Sequence, residues 1–165
     1  MATPAEYFVK SKNLDEFRND IVACNGNFDF DIEEMIALGS AYLERFPDCF
    51  SNRSCQDVQL GYQLARICLV EKLIIGFPSD VKDAFRKMFF SAQAVNGQME
   101  FLKQKYSHDE LLNIVATIQK RLEEYHLKVD SLPKGMIKER FVGGITNLFN
   151  IAYLLKMNVA QKAHE

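Results

Sequence analysis

Arg121 and His126 are the residues best spaced for chemistry, in the run Arg121-Leu122-Glu123-Glu124-Tyr125-His126. A guanidinium is a permanent cation, and an imidazole can gain or lose a proton near neutral pH. In the same run Glu123 and His126 stand three apart, so a helix would place both on one face, as a pair of metal ligands requires. Ser107-His108-Asp109 contains the residue types of a hydrolytic triad, but neighbours in sequence cannot converge on one another as a triad must. With Glu110, that run reads as a helix cap. Lys128, Lys134, Lys138 and Arg140 form a modest basic cluster interrupted by Glu139. It reads as a solvated helix start or as a weak anion contact, since a phosphate track needs more positive charge than this. The sequence holds no glycine-rich phosphate loop, no His-Glu-x-x-His, no Gly-x-Ser-x-Gly and no paired Cys-x-x-Cys.

The Arg121-x4-His126 spacing resembles the signature of the HEPN family, all-α nucleases that act on RNA as dimers. The resemblance covers six residues and departs from the family at Leu122, where a polar residue usually follows the arginine. It implies an RNase with Arg121 and His126 as its catalytic pair. Read on its own, the same run is a helix end, where Arg and His both favour the carbonyl dipoles. Glu123-x-x-His126 resembles half of the ferritin-like di-iron pattern. The other half needs a second Glu-x-x-His, and the remaining histidines, His108 and His164, lie in a cap and a tail. No metal and no cofactor are therefore expected.

Composition sets wider bounds. The chain has 165 residues, 48% hydrophobic and 25% charged, with a net charge of −2. These values fit one globular domain over residues 1–165 with a flexible tail at about 161–165. A chain of this size buries roughly 70% of its unfolded surface. Near-neutrality gives no electrostatic reason for nucleic acid or an anionic membrane as the main partner. The first residues, MATPAEYFVKSK, lack a basic segment followed by an apolar run, so a cytoplasmic location is expected. The cysteines, Cys24, Cys49, Cys55 and Cys68, then read as reduced thiols; Cys49 and Cys55 flank one loop and could bridge in an oxidising compartment.

Helix punctuation is dense. Thr3-Pro4-Ala5-Glu6, Asn13, Asp31 with Glu34, Ser54 with Asp57, Ser79, and Ser107 with Glu110 all read as helix starts. Asn25-Gly26-Asn27, Pro47 and Gly76-Phe77-Pro78 read as stops. The segment 54–75 is apolar around most of its circumference, which predicts burial. A last helix runs from about Pro133 or Lys134 to Ala160. Its apolar run from Phe141 to Leu155 contains Thr146, Asn147 and Asn150 and is shorter than the roughly 20 residues of a membrane span. Gly143-Gly144 within it marks a kink or a close crossing against another long helix. The expected fold is an all-α single-domain bundle of about six helices, four of them long.

Ser79–Tyr106 is the segment expected to organise the bundle. Val81, Phe85, Met88, Ala92, Val95, Met99, Leu102 and Tyr106 keep an unbroken 4-3-4-3 spacing. Phe90, Ala94, Gly97 and Phe101 form a second series on the opposite face. One continuous helix is the expectation; a break at Asn96-Gly97 is the alternative. The second face is either sandwiched in the core or offered to a partner. The leading functional expectation is a non-enzymatic protein-interaction module: an adaptor, regulatory subunit or antagonist. It would bind another protein, or a second copy of itself as a homodimer, through Phe90, Ala94, Gly97 and Phe101. Two alternatives stand beside it. One is an intracellular carrier of a small apolar ligand, held among Met35, Met88, Met99, Met136 and phenylalanines in the bundle interior. The other is the RNase built on Arg121 and His126.

Overall fold

A computed structural model of the chain describes residues 2–47 and 56–161. Eight helices follow one another among these residues: α1 (Pro4–Lys10), α2 (Leu14–Ala23), α3 (Ile32–Arg45), α4 (Gln56–Leu73), α5 (Ser79–Phe90), α6 (Val95–Lys105), α7 (His108–Asp130) and α8 (Met136–Gln161). No strand occurs among them, and the fold is all-α in a single domain. Most of the caps lie where local chemistry puts them. Thr3 with Glu6 and Ser107 with Glu110 form reciprocal capping boxes, and Asn13 and Asp31 accept from the backbone N–H three residues on. Ser79 does not cap. Pro78 takes the cap position of α5 without a side-chain bond, and Ser79 is the first helical residue. The Ser54 cap, the Cys49–Cys55 pair and the tail beyond Gln161 lie outside the described residues.

The helix count differs from six for two reasons. The N-terminal segment is a full helix, α1, whose cap holds a two-turn element in place. The expected organising helix is also divided. It breaks at Ser91, which is extended, and a 3-10 turn at Ala92–Ala94 links α5 to α6. The break is not at Asn96-Gly97, both of which are helical in α6. A tertiary contact accompanies the break: Arg66 Nη2 on α4 donates to the Phe89 carbonyl, satisfying one of the last acceptors of α5. The inward series survives the break. Val81, Phe85, Met88, Val95, Met99 and Leu102 are all buried, while Ala92 in the turn is exposed.

α8 and α4 are the elements the others surround. α8 packs chiefly on α4 and α7, and also meets α3, α5 and α6. α4 buries residues around its circumference, as its composition predicts, from Val58 and Gly61 through Leu64, Ala65, Cys68 and Leu69 to Leu73. The two helices cross closely at Gly143-Gly144. A Cβ on Gly143 would run into the Tyr62 ring; one on Gly144 would lie 2.9 Å from Ala65 Cβ and 3.0 Å from the Tyr62 carbonyl oxygen. The glycine pair is thus a close crossing.

Cations close the ends that helices leave open. Arg121 Nη1, from α7, donates to the carbonyls of Leu73 (2.9 Å) and Ile75 (2.8 Å) just where α4 ends. Lys72 Nζ donates to Gly26 O (2.7 Å) and Phe28 O, fixing the loop after α2. That loop turns through Asn25 (φ 54°) and Gly26 (φ 84°) and sends Phe28 and Phe30 into the core. α7 runs to Asp130, five residues beyond Tyr125, because Val129 and Leu132 are buried and anchor its end. Residues 131–135 alone therefore link α7 to α8.

Asp80 ties the hairpin of α5 and α6. Its carboxylate pairs with Lys105 Nζ at 2.7 Å and accepts from the Tyr106 hydroxyl at 2.9 Å and from Val81 N–H. The hydrogen bond from Lys105, then that from Tyr106, hold the Asp80 carboxyl below its ordinary value of 3.8. A lowered carboxyl contributes stability that is present above its unfolded pKa and lost as pH falls through the folded value. Asp80→Asn is expected to unfold at a lower temperature than the native chain at about pH 7, and the difference is expected to close below about pH 4. Paired melting curves across that range check it; a difference independent of pH would remove Asp80 from the acid response.

Candidate functional site

Arg121 and His126 both lie on α7, well inside the helix. They stand five positions apart, so their side chains leave it roughly 140° apart. Arg121 points at the end of α4, where it donates to two carbonyls and places its guanidinium 5.1 Å from the Phe77 ring. His126 is exposed and meets Phe149 of α8 edge-on, with centroids 5.4 Å apart. The fold does not bring the two together around one substrate atom. Glu123 is exposed on the same side as His126, and among the described residues no three His, Cys, Asp or Glu side chains gather as a metal site would need.

The basic cluster disperses as well. Lys138 Nζ donates to the Asp130 carbonyl at the end of α7, and Lys128 lies over the Tyr125 ring at 4.8 Å. Arg140 turns inward and is buried beside Tyr42 and Tyr62. Only Lys134 remains on the exposed linker. Cys68 is fully buried, and burial pushes its thiol well above the ordinary value, so the reactive thiolate is suppressed. The core methionines Met35, Met88 and Met99 are fully buried, and the hollow between α3, α4 and α8, beside Tyr42 and Phe141, has a volume of about 10 Å³, the room of one water. No described helix is long and apolar enough to cross a membrane.

The four residues of the second face are separated by the break at Ser91. Phe90, at the end of α5, is half-buried, with the guanidinium groups of Arg18 (α2) and Arg66 (α4) each 4.9 Å from its ring centroid. Ala94 sits half-buried in the 3-10 turn. On α6, Gly97 is exposed, and a Cβ there would meet nothing within 4 Å. Phe101 is 42% exposed and lies under Lys105 Nζ at 5.4 Å. The expected single stripe is thus corrected: Phe90 belongs to the α2–α4 side, and only Gly97 and Phe101 share an open face.

A different surface carries the stronger combination of shape and exposure. Between α7 and α8 runs a hollow of about 350 Å³, lined by Gln119 and Glu123 on one helix and Phe149, Ala152, Tyr153 and Lys156 on the other. Tyr153 is 61% exposed, and Leu154 and Met157 continue the apolar surface beside it. The sequence carries a signal for it. The apolar face of α8 includes Phe149, Tyr153 and Leu154, and is wider than its neighbours in the bundle can cover. Glu123 and Lys156 place one charge of each sign on opposite banks. Comparison with known proteins gives no match: no family model, no curated protein and no solved structure is significantly similar to this chain.

Proposed function

We propose that this chain is a helical protein-interaction module whose α7–α8 groove receives an amphipathic helix of another protein. The exposed Tyr153 beside half-buried Phe149 is the observation that carries the reading. A large aromatic left in water at the edge of an apolar floor loses most by staying uncovered, and aromatics of this kind are the usual anchors of helix-in-groove recognition. Glu123 and Lys156 define the complement: an apolar stripe flanked by a basic residue on the α7 side and an acidic one on the α8 side. The partner's interaction energy would come from the apolar floor, and its register from the two charges.

A photoreactive phenylalanine analogue in place of Tyr153, irradiated in the native cells, is expected to capture one partner. The same probe in place of Val9, on α1 and 69% exposed, is expected to leave that protein uncaptured. With the purified partner, Tyr153→Asp is expected to weaken binding at least about tenfold without lowering the melting temperature. Equal capture at both positions, or an unchanged affinity for Tyr153→Asp, would refute the groove.

A further inference from the structure

A second site lies away from the groove, where α2, α4 and α5 meet. Arg18, Val22, Ile67, Lys87 and Phe90 line a hollow of about 260 Å³, with Glu71 and Arg86 at its side. Arg66 stands against the same Phe90 ring as Arg18. Their guanidinium carbons are therefore within about 10 Å of each other, close enough for like charges to repel. Folding has brought these two cations together, and no described acid pairs with either. The one carboxylate in the hollow, Glu71, is taken up by Arg86 through two hydrogen bonds of 2.7 and 2.8 Å, and Asp83 also pairs with Arg86. Neither Arg18 nor Arg66 makes an ion pair with any described residue.

Their donors are also incompletely used. Nε of Arg18 and Nε of Arg66 are both buried without a hydrogen-bond partner among the described residues, although Arg66 Nη2 serves the Phe89 carbonyl. A buried donor left unmatched costs about 1–3 kcal/mol, more on a charged group. Burial, and then repulsion from Arg18, hold the Arg66 pKa below its ordinary value. An anion in the hollow, which Arg18 and Lys87 line, would offset the repulsion between Arg18 and Arg66.

We propose that this hollow binds a phosphomonoester, with Arg18 and Lys87 contacting the phosphate, Arg66 reinforcing the positive field and Phe90 with Val22 and Ile67 holding the organic group. Two cations lining one hollow match a dianion better than a single carboxylate, and a guanidinium fork fits adjacent phosphate oxygens. The apolar wall and the volume suit a small ester.

The test uses the full chain and two probes, inorganic phosphate and phenyl phosphate, titrated at constant ionic strength while the Nε–Hε signals of Arg18 and Arg66 are followed by NMR. Saturable shifts of both signals are expected, with phenyl phosphate binding at least about tenfold more tightly than inorganic phosphate because it also covers Phe90. Arg18→Gln is expected to weaken binding at least about tenfold without lowering the melting temperature, since Arg18 makes no ion pair with a described residue and its Nε has no acceptor there. Lys120→Gln, on the exposed face of α7, is expected to change nothing. Equal affinity for the two probes would overturn the ester and leave a free-phosphate site. Shifts that fail to saturate, or an Arg18→Gln chain that binds as the native one does, would overturn the site altogether.

Discussion

Replacing Gly144 by valine is expected to lower the unfolding free energy by about 3 kcal/mol or more, which for a chain of this size is a fall of about 6–12 °C in melting temperature. The added Cβ would lie 2.9 Å from Ala65 Cβ and 3.0 Å from the Tyr62 carbonyl oxygen. The second of these is backbone inside α4, so relief requires moving one helix against the other. α4 and α8 carry much of the core between them, from Leu64, Ala65 and Cys68 to Ile145, Leu148 and Ala152. A shift there opens contacts well beyond the glycine. Gly143→Ala is expected to be milder, because the atoms it meets belong to the Tyr62 side chain, which can swing aside. Gly97→Ala supplies the opposite sign. A Cβ on Gly97 meets nothing within 4 Å, and the residue is helical, so alanine is expected to stabilise by about 0.5–1 kcal/mol. Chemical unfolding of the three variants separates crossing geometry from helix propensity. A Gly144→Val chain within about 0.5 kcal/mol of the native one would mean that α4 and α8 do not cross at this glycine.

Arg86→Met is expected to cost about 3–5 kcal/mol, because it strands the carboxylate of Glu71, which is 3% exposed, without its bidentate partner. Methionine keeps most of the apolar stem, so the loss is chiefly electrostatic. The converse variant, Glu71→Leu, is expected to cost less. Arg86 is 22% exposed and still reaches Asp83 at 3.1 Å, so its charge keeps both water and a partner. The double variant Glu71→Leu with Arg86→Met is expected to recover most of the loss of Arg86→Met, since an apolar pair leaves no buried charge behind. A double-mutant cycle by urea unfolding measures this. Additive losses would sink the idea that the two side chains act as one buried unit.

Much of the fold is legible residue by residue. The capping boxes at Thr3 and Ser107 and the caps at Asn13 and Asp31 depend on side chains within three positions of the backbone they satisfy, so local sequence suffices. Six of the eight expected inward residues of Ser79–Tyr106 are buried even though the helix is not continuous, because the 3-10 turn returns Val95, Met99 and Leu102 to the same core as Val81, Phe85 and Met88; Ala92, in the turn, is exposed and Tyr106 half-buried. The break itself is not legible. The contact that meets the freed Phe89 carbonyl comes from Arg66, 23 residues away. Phe90, expected on an open stripe, lies instead beside two arginines of other helices. Arg121 shows the same pattern: its spacing to His126 is a matter of sequence, but its two acceptors are the carbonyls of Leu73 and Ile75 on another element.

By itself, then, the sequence determined the all-α class, most of the helix starts, the buried face of each amphipathic segment and the special role of Gly143-Gly144. All of these follow from interactions a few residues long or from a period of 3.6. Tertiary structure alone decided where the Ser79–Tyr106 helix divides, which long helix the glycine pair meets, which cations serve as caps for other helices, and which apolar surfaces remain uncovered. The physical reason is that burial and charge pairing belong to the space between elements. Periodicity names the face a helix will bury, but only packing shows how much of that face the neighbours cover, and on α8 they leave Tyr153, Leu154 and Met157 in water.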